Sequence, residues 1–382
     1  MVRPSIYLDH AATAPLRAEA RGAMERHGDM VFANPSGAHR ASREARTAID
    51  EARDSVAGAI GCAPGEVVFT SGGTEGANSA VLGAVRRHGG TAVCAASEHH
   101  AVLHCVEHVG GEVVAVDATG RVDLDHLSSV LAARNDVSVV SVMAVNNETG
   151  VVNDLAAVSQ VVRQHAPGAV LHTDAVQAAC WLELAPLWER VDVLTLSAHK
   201  FGGPKGTGIM AVREGVHLEP LLMGGGQERD RRSGTHNVAG IVGTAAALET
   251  TVRDRAVECA RLGALRDEMT GRITAALACA TETAAGAPRI PGTAHLCFEG
   301  IENEELLYLL DLEGVCASAA SACASGAMEP SHVLAAMGIP RERVRGSLRL
   351  SLGHTTTAAE IAEATGIIVA AAQRLATAGG PR

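Results

Sequence analysis

Short, largely β-branched runs that each end in polar residues restrict the fold of this chain more than any other feature. "EVVFTSGG" breaks into a Gly-rich turn, "TAVCAASEHH" ends in Glu98 and His99, and "SVVSVMAVNNETG" ends in Asn146 and Asn147. "AVLHTDAVQ" carries Asp174 and Gln177, and "VDVLTLSAHKFGG" carries Ser197, His199 and Lys200. Runs this apolar on both faces belong in a covered sheet. Helical stretches such as "DLAAVSQVVRQHA" lie between them, which predicts an α/β fold: a mainly parallel sheet with crossover helices. Such sheets bind ligands beyond the carboxyl ends of their strands, so the polar endings are expected to converge on one pocket.

With 382 residues and 47% hydrophobic content, the chain can bury a large core and divide in two. After about residue 250 the pattern changes to a long amphipathic helix, "VECARLGALRDEMTGRITAAL", then short strands ("TAHLCFEG", "SLRLSLG") and further helices. We read a large domain over 15–250 and a smaller α+β domain over 251–382, to which residues 1–14 return. The net charge of −11 contains no basic block, which argues against direct nucleic-acid binding or a basic membrane-surface helix. No basic-then-apolar leader opens "MVRPSIYLDH" and no membrane-length apolar stretch follows, so the expected compartment is the cytoplasm. The 9 cysteines are scattered without a C-x-x-C pair, so neither a disulfide framework nor a metal site is expected.

The turn "SGGTEG" lacks the G-x-G-x-x-G of dinucleotide sites and the G-K-[ST] ending of nucleotide P-loops, which leaves a smaller phosphate at a helix N-terminus. Lys200 follows an apolar strand, where desolvation favours a neutral amine able to form a Schiff base. Pyridoxal phosphate needs such a lysine, a carboxylate against its ring nitrogen and an anion cradle. Lys200, Asp174 and the Gly73–Thr74 turn offer all of these. Singly, each has an ordinary alternative: a snorkelling lysine, a helix N-cap for Asp174, a turn residue for Thr74, a satisfied polar group near the core for His99. Their joint occurrence favours the cofactor.

In chain order, "YLDHAATAP", "NPSGAHR", "FTSGGTEGAN", "SEHHAVLH", "VNNETGVV", "HTDAVQ", "SAHKFGGPKGTG", "GGGQERDRRSGTHN" and "SACASGAMEPSHVLAAMG" resemble the cysteine desulfurases of the nitrogen-fixation and iron–sulfur-cluster type. The resemblance runs from Tyr7 to about Thr357. It implies a fold-type I pyridoxal-phosphate enzyme with a mainly parallel seven-stranded sheet, converting L-cysteine to L-alanine and leaving sulfur as a persulfide on the enzyme. Lys200 would hold the cofactor, Asp174 would face the ring nitrogen, Gln177 would bond the ring hydroxyl and His99 would stack on the ring. Thr74, Ser197, His199 and the Gly73 amide would bind the phosphate, with Thr235 reaching it from the other subunit of a homodimer. Asn34 and Asn147 would line the substrate side, and Arg349 would take the substrate carboxylate in a bidentate pair.

Cys323 lies among small residues in "SAASACASG", a setting that lets a loop move between substrate and sulfur acceptor, whereas Cys316 in "LEGVCAS" reads as a strand residue. By the resemblance, Cys323 thiolate attacks the substrate sulfur after Lys200 has removed the α-proton. His99 is the candidate base for the thiol. The chain departs from its relatives at Gly73, Ala319, Ala320 and Ala324, all conservatively, and "SLGHTTT" places His354 where many relatives carry another residue. Other readings are a selenocysteine lyase or related β-eliminating enzyme on the same fold, or a degenerate scaffold protein. The final "TAGGPR" and the absence of a basic patch lead us to expect a dedicated protein acceptor, with weak affinity for a general iron–sulfur scaffold.

Overall fold

The computed structural model describes residues 5–319 and 331–378. Cys323, Ala320 and Ala324 therefore lie outside the described residues. After a two-residue strand β1 (Ile6–Tyr7), the apolar runs become β2 (Val67–Thr70), β3 (Thr91–Ala95), β4 (Glu112–Val114), β5 (Val137–Ser141), β6 (Val170–Asp174), β7 (Val193–Ser197) and β8 (Gly208–Val212). These last seven form one sheet in the order β2-β8-β7-β6-β5-β3-β4. Every neighbouring pair is parallel except the two that involve β8. This is the mainly parallel α/β sheet that the alternating runs and helices imply. Its strands are almost wholly buried, which explains why they read as continuous apolar runs rather than as an alternation.

Register brings the polar endings together. Asp174 pairs with Thr195 across β6 and β7, and Ser197 pairs with Gly208 across β7 and β8. At the end of β2 the chain enters the Gly73–His88 helix. Its last turn carries Arg86, Arg87 and His88 against the negative end of the helix dipole, and Gly89 at φ 67° ends it.

A three-stranded antiparallel sheet, β12-β10-β9, is built from β9 (Ala280–Glu282), β10 (Thr293–Phe298) and β12 (Ser347–Ser351). Cys316 belongs to β11 (Val315–Cys316), which pairs in parallel with β1, so the opening residues do return to this part of the chain. A second apolar cluster, including Leu8, Leu296, Phe298, Leu348 and Ile368, fills it.

The long helix runs from Val238 to Ala276, 39 residues, and thus begins before residue 250 and crosses that point unbroken. Its start is capped by Asn237, whose side chain accepts from the Gly240 amide. The first turns escaped the sequence reading because "VAGIVGTAAALETTV" is buried nearly all round. A Cβ at Gly243 would come within 2.5 Å of Met24 Cγ, so this stretch shows no polar face.

Candidate active site

Beyond the carboxyl ends of the strands lies a cavity of about 330 Å³ whose walls include Gly73, Thr74, His99, Asn147, Asp174, Gln177, Ser197, His199, Lys200 and Arg349. Most of the residues singled out from the sequence therefore meet in one place. Asn34 and Thr235 are exposed and do not line it within this chain. Asn34 instead accepts from the Ser36 amide through its own side chain.

Lys200 closes the short turn that follows β7, and its Nζ donates to the carbonyls of Ala11 and Ala12 at 2.7 and 2.9 Å. Gln177 Nε2 donates to the same Ala11 carbonyl at 2.8 Å. Asp174 ends β6, and its carboxylate accepts from the Val176 amide at 2.9 Å. Burial pushes its pKa up to about 6 against the pull of that bond and of Lys200. Glu98, fully buried one residue before His99, is pushed well above the usual carboxylate range by burial and by Asp174. It accepts from the Met143 amide through one oxygen, and its other oxygen has no partner.

His99 caps the His100–His108 helix, its Nδ1 accepting from the Ala101 amide at 3.1 Å. The hydrogen bond leaves Nε2 to carry the ring hydrogen. Burial, then the charge of Lys200, holds its pKa down at about 4. A neutral ring whose lone pair is already engaged is at odds with a base for the thiol. His199, likewise lowered to about 4 by burial first, bonds Thr13 Oγ1 through Nδ1 at 3.1 Å.

Arg349 enters from β12. Its Nη2 pairs with Asp9 Oδ1 at 2.7 Å, its Nη1 donates to the Asn147 carbonyl at 3.0 Å, and its buried Nε has no partner among the described residues. The guanidinium is thus fixed by the protein in the cavity wall. The same residue is bonded to the chain just before 320–330, and the glutamate beside its Asn147 partner is bonded to the chain just after. The Arg349 amide donates to the Ser318 carbonyl at 2.7 Å, while Ser331 Oγ donates at 2.5 Å to Glu148, next to Asn147.

The sequence reading gave no role to Asp9, Ala11, Ala12 or Thr13, although "YLDHAATAP" had been singled out. In the structure this segment crosses the cavity and bonds Arg349, Gln177, Lys200 and His199. The signal was the run of small residues between Asp9 and Pro15, which lets backbone carbonyls approach the lysine. Glu148 was also missed; its place in "NNETG" gave no hint of burial.

Pyridoxal phosphate fits this donor set. A desolvated carboxyl such as Asp174 regains its ionised form only against a cation, which a protonated ring nitrogen provides. Also lining the cavity, Gly73 begins a helix, and a Cβ there would come within 2.7 Å of Val176 Cγ2. The bare backbone at this helix N-terminus suits a phosphate.

The family pattern described as aminotransferase class V matches residues 6–363. The cysteine desulfurase IscS of Dictyoglomus turgidum is 40% identical over 93% of this chain and 91% of its own length. An IscS-like cysteine desulfurase of Mycobacterium tuberculosis is 42% identical over 98% of this chain and 100% of its own. Among solved structures, a NifS-like protein superposes with a TM-score of 0.89 at 32% identity, covering 96% of this chain and 98% of that one. SspA in complex with cysteine gives a TM-score of 0.78 at 31% identity, covering 91% and 98%.

Proposed function

The chain belongs to the aminotransferase class V family and is a pyridoxal-phosphate-dependent cysteine desulfurase, and on that premise we propose the part each of its residues takes. When bound, pyridoxal phosphate supplies an aldehyde for an amine and a ring that accepts the charge left by a departing α-proton. Lys200 is the amine, and once released it is the base at the α-carbon, held beside the substrate by the Ala11 and Ala12 carbonyls. Asp174 keeps the ring nitrogen protonated. Gln177 is placed for the ring hydroxyl. His99, kept neutral, offers a ring face and an Nε2–H donor. Thr74, Ser197, His199 and the Gly73 amide hold the phosphate.

Arg349, with Asn147 beside it, takes the substrate carboxylate in place of part of its bond to Asp9. Cys323 receives the sulfur as a persulfide and passes it to an acceptor protein, for iron–sulfur cluster assembly or thio-modification. The described cysteines are all free, which suits a reducing compartment, the cytoplasm. Among the described residues no helix is long and apolar enough to cross a membrane.

Met30, Phe32, Leu222 and Met223 are exposed large apolar side chains, and in a homodimer they would be covered while Thr235 and Asn34 reach the partner's cavity. A monomer in sedimentation of the holo-protein would exclude that arrangement. The division into a large part over 15–250 and a smaller part over 1–14 and 251–382 is supported by the separate sheets and their separate apolar clusters.

The observation that carries this reading is Lys200 Nζ and the buried Asp174 facing one cavity. Borohydride reduction of the holo-protein followed by peptide mapping is expected to place the cofactor on Lys200, and Lys200→Ala is expected to form no adduct. Cofactor recovered on Lys205 would sink the assignment.

A further inference from the structure

A second, smaller chamber adjoins the active site and shares Ala11, Val176, Gln177 and Lys200 with it. Its volume is about 40 Å³, and its other walls include His10, Arg17, Arg255, Glu258, Gly353 and His354. That is room for one or two water-sized occupants. Two wall groups contain buried atoms without hydrogen-bond partners among the described residues: Arg255 Nη2 and His10 Nδ1. His10 is only 6% exposed.

Both orphaned atoms are donors. Arg255 donates by nature, and its Nε is already spent on the Ala179 carbonyl at 3.1 Å. At His10, Nε2 lies 3.4 Å from the Thr356 hydroxyl, which itself accepts from the Gly353 amide and so has its own proton to give. We assign the Thr356 proton to Nε2, which leaves the ring hydrogen on Nδ1. Leaving such donors buried and unmatched costs about 1–3 kcal/mol each, more for a guanidinium. They call for an occupant that only accepts.

The charge of the walls has the same sign. Arg17, Arg255 and Lys200 are basic, and the opposing carboxylate, Glu258, is engaged with Arg261 at 2.6 Å. His10 and His354 are held neutral, each lowered to about 4, by burial first. A Cβ at Gly353 would lie 2.1 Å from His10 Nδ1, so the glycine is what lets the imidazole seat in the chamber wall.

We propose that this chamber, bounded by Arg255, Arg17, His10 and Gly353, is a binding site for a small monovalent anion of halide size. His354, to which the sequence gave no role, is then part of its wall. The site is separate from the phosphate cradle and the Arg349 clamp, neither of which lines it.

Bromide is the probe. Crystals of the holoenzyme soaked in bromide and measured at the bromine edge should show an anomalous peak within hydrogen-bonding reach of Arg255 Nη2 and His10 Nδ1. Arg255→Gln should weaken that bromide site about tenfold or more, while Arg255→Lys keeps part of it. Water density without an anomalous signal in the wild-type chamber would overturn the proposal. So would a bromide peak undiminished in Arg255→Gln. The wild-type soak decides the matter even if the variant does not fold.

Discussion

Arg349 shows how the fold holds one buried cation in the wall of the cavity. It is 4% exposed, yet its charge is met by Asp9 and its geometry by the Asn147 carbonyl, so it stands ready without being stranded. A lysine could satisfy one of these partners but not both in one plane. Arg349→Lys is therefore expected to raise KM for L-cysteine about tenfold or more, with a smaller fall in kcat. Steady-state kinetics at fixed cofactor saturation would test this, and an unchanged KM would remove Arg349 from the substrate side. His99 shows where residue type alone misleads. Its place at a strand end suited a base, but capping a helix took the Nδ1 lone pair and burial took the basicity.

Elements decide whether the cofactor cradle has the right shape. The Gly72–Gly73 turn leans on β8 so closely that a Cβ at Gly208 would lie 2.6 Å from Gly72 Cα and 2.7 Å from Thr70 Oγ1. Gly208 is held in the sheet and Gly72 caps the following helix, so neither backbone can yield cheaply. Gly208→Ala should displace the helix N-terminus and weaken pyridoxal-phosphate binding about tenfold or more, as read by spectroscopic titration of the folded apo-protein. Wild-type affinity in that variant would show that the turn tolerates the shift. The strand endings were legible in the sequence because a fully buried parallel strand leaves its polar residues only at its ends. The crossing of "DHAAT" over the cavity was not, because Ala11 and Ala12 contribute through backbone carbonyls, which any residue possesses, and the side-chain bonds of Asp9 and Thr13 join residues far away in the chain. The start of the Val238–Ala276 helix was hidden for a related reason: a helix buried on every side has no polar stripe to mark its period.

Across the whole molecule, buried histidines set the response to acid. His10, His99, His199 and His354 are lowered to about 4, and His172 and His295 to about 3, in each case by burial first. Unfolding returns them toward 6.5, so below that pH the unfolded chain takes up protons the folded chain refuses. Stability is thus full above about 6.5 and is lost as pH falls toward 4. Asp174 acts in the opposite sense: raised to about 6, its contribution is complete below its ordinary 3.8 and is lost as pH rises through 6, and the raised Glu98 and Glu148 act with it, three carboxyls set against these six imidazoles. The melting temperature of the apo-protein should fall by several degrees or more between pH 6.5 and 4; a flat profile would mean that the histidines are not buried in solution. In the proposed function Lys200, Asp174 and Arg349 prepare L-cysteine for the Cys323 thiol, which draws on all these scales at once. The most direct test is a single turnover of holoenzyme with L-cysteine, following alanine and mapping the added sulfur by mass spectrometry. Wild-type protein should release alanine and carry one extra sulfur on the peptide containing Cys323, while Cys323→Ser binds the cofactor normally and releases no alanine. Alanine release at the wild-type rate from Cys323→Ser, or sulfur found mainly on Cys316, would contradict the account.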